Sequence, residues 1–136
     1  MEQLKKISAV IVDDDGMMRE MLKLILRGDG YPILGEAGNG QDAITLCEKL
    51  KPGLVLLDIN MPKMDGLQAL EEIRKVSPDS LVLMVSADVT MDKVSEAIKK
   101  GAAGFVVKPL KAASVLDRIT ACLAEKHKAS LEKKNA

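Results

Sequence analysis

Asp13, Asp14 and Asp15 stand together near the start of the 136-residue chain, and Asp58, Ser86 and Lys108 follow at wide intervals. Each group comes directly after a short apolar run: residues 7–12, 54–57, 81–85 and 104–107. Taken singly, each has a structural explanation. An aspartate before a helix caps it, as Asp15 before Gly16 would. Asp58 alone reads as turn chemistry, Ser86 as a cap for the next helix and Lys108 as surface charge. Brought to one edge of a fold they read differently. Two carboxylates about 4 Å apart repel by about 4 kcal/mol at an effective dielectric of about 20. A hard divalent cation relieves that repulsion, since Mg²⁺ takes one or two carboxylates together with waters and phosphate oxygens. Lys108 would set a second positive charge opposite. Such a pocket suits a phosphoryl group in transfer, its equatorial oxygens neutralised while a carboxylate attacks in line. Asp58, alone and central, is the expected nucleophile, leaving Asp13 and Asp14 to hold the ion.

Convergence on one edge depends on the elements between these residues. With residues 31–35 there are five apolar runs, three of them continuous Val, Leu, Ile or Met, as in strands covered on both faces of a parallel sheet. Helical spacing links Met17, Met21, Leu24 and Ile25, then Ala43, Leu46, Cys47 and Leu50, then Leu67, Leu70, Ile73 and Arg74. Val94, Ala97 and Ile98 form a fourth stripe, and Val115, Leu116, Ile119, Cys122 and Leu123 a fifth. Strand then helix, five times over, predicts a parallel sheet with helices on both faces, whose ligands bind beyond the carboxyl ends of the strands. Gly28, Gly30, Pro52, Gly53, Pro78 and Gly101 fall where helices must stop. The second strand ends in Glu36 and Ala37 and is expected to stand outside the constellation. Residues 1–124 are expected to form the domain, and the Lys- and Glu-rich residues 125–136 a solvated continuation of the last helix that frays into a tail.

Composition narrows the function further. One Tyr, one Phe and no Trp leave no stacking platform for single-stranded nucleic acid, and 20 basic against 20 acidic side chains argue against a general grip on phosphate backbones. No apolar run approaches the length of a signal peptide core or a spanning helix. Two cysteines, Cys47 and Cys122, are too few for a disulfide framework and are expected to be reduced thiols in a cytoplasmic protein. The eight methionines are expected to be mostly core.

Val12-Asp13-Asp14-Asp15, the stretch from Leu56 through Asp58, Asn60, Pro62 and Asp65 to Gly66, Ser86-Ala87 and Lys108-Pro109 together resemble the receiver domain of bacterial two-component response regulators. The resemblance covers roughly residues 5–124 and rests on four separated motifs in order. It implies a flavodoxin-like, doubly wound (βα)5 fold with strand order 2-1-3-4-5. It implies Asp58 as phosphoacceptor from a histidine kinase or histidine phosphotransfer protein, with Mg²⁺ or Mn²⁺ held by Asp13, Asp14, Asp58 and the backbone carbonyl of Asn60. Ser86 and Lys108 would contact the phosphoryl group, and Pro109 would follow a cis peptide bond. Ser86 and Phe105 would form the switch, Phe105 lacking the hydroxyl of the Tyr frequent there. Asn60 and Asp88 would modulate hydrolysis, with Asp88 orienting water. Apart from its own phosphorylation and dephosphorylation the chain is expected to catalyse nothing. It is expected to signal through a surface of the fourth helix, fifth strand and fifth helix that includes Phe105, Val94, Ala97 and Lys93, to a protein partner and not to nucleic acid or membrane. A stand-alone regulator, in chemotaxis or a relay, is the expectation; a receiver cut from a longer regulator is the alternative. An aspartyl-phosphate hydrolase would want a second carboxylate where Asn60 stands. A flavin-binding relative would want a Ser/Thr-rich loop where the aspartates are, and a purely structural adaptor would not need the set intact.

Overall fold

The computed structural model describes residues 6–87 and 89–134, with side chains described as far as residue 131. Five strands alternate with five helices: β1 (Ala9–Val12), α1 (Gly16–Gly28), β2 (Ile33–Ala37), α2 (Gly40–Leu50), β3 (Leu54–Asp58), α3 (Gly66–Val76), β4 (Leu81–Ser86), α4 (Met91–Lys99), β5 (Gly104–Val107) and α5 (Ala112–Lys134). The strands form one sheet in the order β2-β1-β3-β4-β5, and every neighbouring pair is parallel. Strand order reverses between β1 and β3, which places a crevice at their carboxyl ends.

Because successive strand residues point to opposite faces, the continuous apolar runs supply two cores at once. Val10, Val12, Val55, Leu57, Val82 and Met84 meet Ala43, Cys47, Leu70, Ile73 and Ala97 from α2, α3 and α4. Ala9, Ile11, Leu54, Leu56, Leu83 and Val85 meet Leu22, Leu26, Val115, Ile119 and Cys122 from α1 and α5. Both cysteines are free and buried, and burial raises the Cys47 thiol pKa to about 11. α5 continues unbroken past residue 124, and its side chains are exposed from there to residue 131. Among the described residues no helix is long and apolar enough to cross a membrane.

Two expectations are corrected. β2 begins two residues later than its apolar run: the Tyr31 N–H closes α1 by donating to the Leu26 carbonyl (3.0 Å), and Pro32 has no N–H to give to a ladder. The buried face of α1 is Leu22 and Leu26 with Met18 and Ile25 partly covered, while Met17 is 83% and Leu24 70% exposed and Met21 also faces outward. Asp15 starts this helix by accepting from the Met17 N–H (2.9 Å). Met17, Met21 and Met91 are exposed, while Met18, Met61, Met64 and Met84 lie in or against the two cores, so most of the described methionines are core, as expected.

Candidate functional site

The parallel register carries the chemistry-bearing residues to one edge. Val12 is level with Leu57, Asp58 with Val85, and Ser86 with Val107. Asp58 and Ser86 are thus the last residues of β3 and β4, and Asp13 and Lys108 the first beyond β1 and β5. The Lys108 ammonium lies 3.1 Å from Asp13 Oδ2 and 3.5 Å from Asp58 Oδ1. Asp13 is 0% and Asp58 3% exposed, while Asp14 faces solvent at the mouth. Carboxylate oxygens of Asp13, Asp14 and Asp58 all lie within 4.8 Å of one another. An all-oxygen, partly open set of this kind fits a hard cation such as Mg²⁺ or Mn²⁺ and does not suit the softer metals.

Electrostatics follows from burial. Loss of solvent, and after it the charge on Asp13, push the Asp58 pKa up from 3.8 to about 6; Lys108 and the Asn60 N–H pull the other way. Burial opposes the charge on Lys108, yet its bond to Asp13 and the attraction of Asp58 outweigh that and hold its pKa above that of an ordinary lysine. Metal-free, the pocket holds more negative charge than one ammonium balances.

The remaining residues are placed as follows. The Asn60 N–H donates to Asp58 Oδ1 (3.3 Å), and Asn60 itself is exposed. Ser86 is fully buried, and its carbonyl accepts from the Lys108 N–H (3.0 Å). Phe105 pairs with Met84 across β4 and β5 and is half-buried against the core beneath α2, α3 and α4. The Lys108–Pro109 peptide bond is cis. Asp88 lies outside the described residues. Of the expected docking residues, Ala97 is wholly buried in the core and Lys93, Val94 and Phe105 are half-buried; Met91, Ile98 and Val107, not among those expected, are exposed on α4 and β5.

Two contributors went unrecognised in the sequence. A Cβ on Gly66 would stand 2.2 Å from the Asp58 carbonyl oxygen and 2.6 Å from Ile59 Cα, so only glycine lets α3 begin directly against the end of β3. The Gly66 N–H donates to the Ile59 carbonyl (2.7 Å), and the Asp65–Gln68 capping box fixes the first turn. Arg19 is the other: its Nη1 donates to the Asp13 carbonyl (2.7 Å) and its Nε to Glu36 Oε1 (3.1 Å). β2 is therefore tied to the site through Glu36, which corrects the expectation that it stands apart. An aspartate followed within two turns by an arginine, and a glutamate near the end of β2, were the available signals.

The site is thus three carboxylates and a lysine gathered at the carboxyl edge of a doubly wound parallel sheet. Residues 9–120 match the family model described as response regulator receiver domain. The chain is 43% identical over 110 residues to the chemotaxis protein CheY of Thermotoga maritima, covering 81% of this chain and 92% of that one. It is 41% identical over 114 residues to CheY of Bacillus subtilis, covering 84% and 95% respectively. Among solved structures, the CheX-CheY-BeF3-Mg complex of Borrelia burgdorferi superposes with a TM-score of 0.83 at 34% identity, covering 85% of this chain and 88% of that one. The chain belongs to the response regulator receiver domain family, and is a CheY-like signalling receiver of a two-component system.

Proposed function

We propose that Asp58 accepts a phosphoryl group from the phosphohistidine of a kinase or phosphotransfer protein, and that its phosphorylation alters a docking face built from α4, β5 and α5. The observation that carries this reading is the Asp58 carboxylate, buried at the end of β3 with Lys108 3.5 Å away and Asp13 and Asp14 beside it. With a pKa of about 6 it is mostly ionised above neutrality and able to attack. As the Asp58 O–P bond forms, the histidine N–P bond breaks and the ring nitrogen keeps the electron pair. Asp13, Asp14, Asp58 and the Asn60 carbonyl would hold Mg²⁺ or Mn²⁺, which when bound supplies positive charge against the phosphoryl oxygens. Lys108, already paired with Asp13 and Asp58, meets the same oxygens from the β5 side.

Transfer replaces one negative charge on Asp58 with about two and adds strong acceptors. The Ser86 hydroxyl, at the end of the neighbouring strand, is the donor that moves to them, and Phe105 shifts into the space it leaves. A full population reversal of such a switch needs about 5.5 kcal/mol of differential stabilisation, so partial activity before phosphorylation is expected. The relative from Borrelia burgdorferi was solved with CheX, which supports a protein partner here too, and the exposed Met91, Ile98 and Val107 offer apolar area for one. Incubation with acetyl phosphate and Mg²⁺, followed by intact-mass measurement, tests the reading. Wild type gains one phosphoryl group; Asp58→Asn and the chelated wild type gain none. Equal labelling of Asp58→Asn, or a wild type that never labels, rejects it.

A further inference from the structure

Asp13 is held at every polar atom. Its N–H donates to the Ala37 carbonyl (3.1 Å), Oδ1 accepts from the Asp15 N–H (2.9 Å), Oδ2 meets Lys108, and its carbonyl accepts from Arg19 Nη1 (2.7 Å). The last of these bonds is long-range in structure though local in sequence. Arg19 reaches back from the first turn of α1, and its guanidinium is flanked by two glycines: a Cβ at Gly38 would lie 3.4 Å from Nη1, and one at Gly16 3.5 Å from Nη2. Glu36 on β2 fixes the guanidinium from the far side through Nε, and Lys23 takes the other Glu36 oxygen while pairing with Glu20. Without Arg19 the Asp13 carbonyl loses the donor that fixes the peptide joining two adjacent carboxylates.

We propose that Arg19 is a positioning residue that fixes the Asp13 peptide, so that Asp13 and Asp14 present their carboxylates to a cation, and that Glu36 acts on the site only through Arg19. The proposal rests on the reading of Asp13 and Asp14 as metal ligands, and deepens it by assigning the groups that orient them. Arginine is needed because one planar guanidinium must donate to a carbonyl and a carboxylate at once, in directions a lysine ammonium does not reproduce.

The test is Mg²⁺ titration of the unphosphorylated protein by isothermal calorimetry, with metal-free melting curves to show that each variant is folded. Loss of a group that orients a ligand typically weakens metal binding by about 10- to 100-fold. Arg19→Gln is expected to raise the Mg²⁺ Kd by about tenfold or more, Glu36→Gln to raise it less, and the double variant to bind no more weakly than Arg19→Gln alone. A merely structural ion pair would lower the melting temperature and leave the Kd of the folded protein where it was. An unchanged Kd in Arg19→Gln, or additive losses in the double variant, overturns the proposal. Should Arg19→Gln not fold, Glu36→Gln decides alone, and an unchanged Kd there overturns it. A wild type that binds no Mg²⁺ overturns the metal reading and this proposal with it, whereas normal wild-type binding with unaltered variants overturns only the role of Arg19.

Discussion

Ser77 and Ser80, at the amino edge of the sheet, are as buried as Asp13 and Asp58 at the carboxyl edge, each 3% exposed or less. The serines are settled. Their hydroxyls bond each other, Ser80 Oγ donates on to the Pro52 carbonyl, and Arg74 donates to the Pro78 and Ser80 carbonyls. Lys51 and Lys126 close the same corner by donating to the carbonyls of Val76 and Asp79. At the carboxyl edge the buried groups are equally well bonded but not balanced, since Asp13 and Asp58 share one lysine and the exposed carboxylate of Asp14 lies beside them. Neutral hydroxyls at one edge join the loops, while the other edge concentrates negative charge. Burial alone therefore does not separate a structural polar cluster from a functional one; uncompensated charge does.

Substitutions at the two edges should differ in sign as well as size. Gly66→Ala is expected to have the largest effect, a loss of about 3 kcal/mol or more, because the obstruction at 2.2 Å is backbone and cannot swing aside. Urea unfolding measures it, and a variant as stable as wild type would show that α3 can move away from β3 freely. Asp58→Asn is expected to stabilise the metal-free protein at pH 8. The folded-state pKa of about 6 lies above the ordinary 3.8, so the favourable protonated form is fully present below about pH 4 and is lost as pH rises through 6. At about 1.4 kcal/mol per pH unit, removing the charge recovers up to about 3 kcal/mol at pH 8 and almost nothing at pH 4. Denaturant midpoints in EDTA across that range check the sign, and a destabilised Asp58→Asn at pH 8 would erase the contrast between the edges. Ser80→Ala should destabilise by about 1–2 kcal/mol at every pH, since it strands the Pro52 carbonyl and the Ser77 hydroxyl without introducing charge. A pH-dependent loss there would mean the amino edge also carries electrostatic imbalance.

Much of the fold was legible because three of the five apolar runs are continuous and four of the five are followed directly by a charged or hydroxyl side chain. Asp13, Asp58 and Lys108 could be read as a cluster before any contact was known, since parallel strands deliver their carboxyl ends to one side. Gly66 was visible as part of a motif but not as a steric necessity, because its neighbour is the backbone of Asp58, eight residues earlier, folded against it. Arg19 and Glu36 were harder still: charged residues on a helix and an edge strand usually face solvent, and the spacing of Asp13 and Arg19 alone does not say that one reaches the carbonyl of the other. The same limit explains Ala97, which shares a stripe with exposed Ile98 yet lies wholly inside.

The amino-acid sequence by itself determined the alternation of strands and helices, the polar residue at each strand end and hence the kind of chemistry available, because periodicity and chain order are local properties. It did not determine which side of α1 is buried. Met17, Met18, Met21, Leu22, Leu24, Ile25 and Leu26 wrap most of that helix in apolar side chains, and either of two stripes would satisfy helical spacing. In the tertiary structure Leu22 and Leu26, flanked by Met18 and Ile25, are buried because they share a core with Ala9, Ile11, Leu54 and Leu56 of the sheet and Val115 and Ile119 of α5. Those partners are distant in sequence, so spacing within the helix could not name the stripe that meets them.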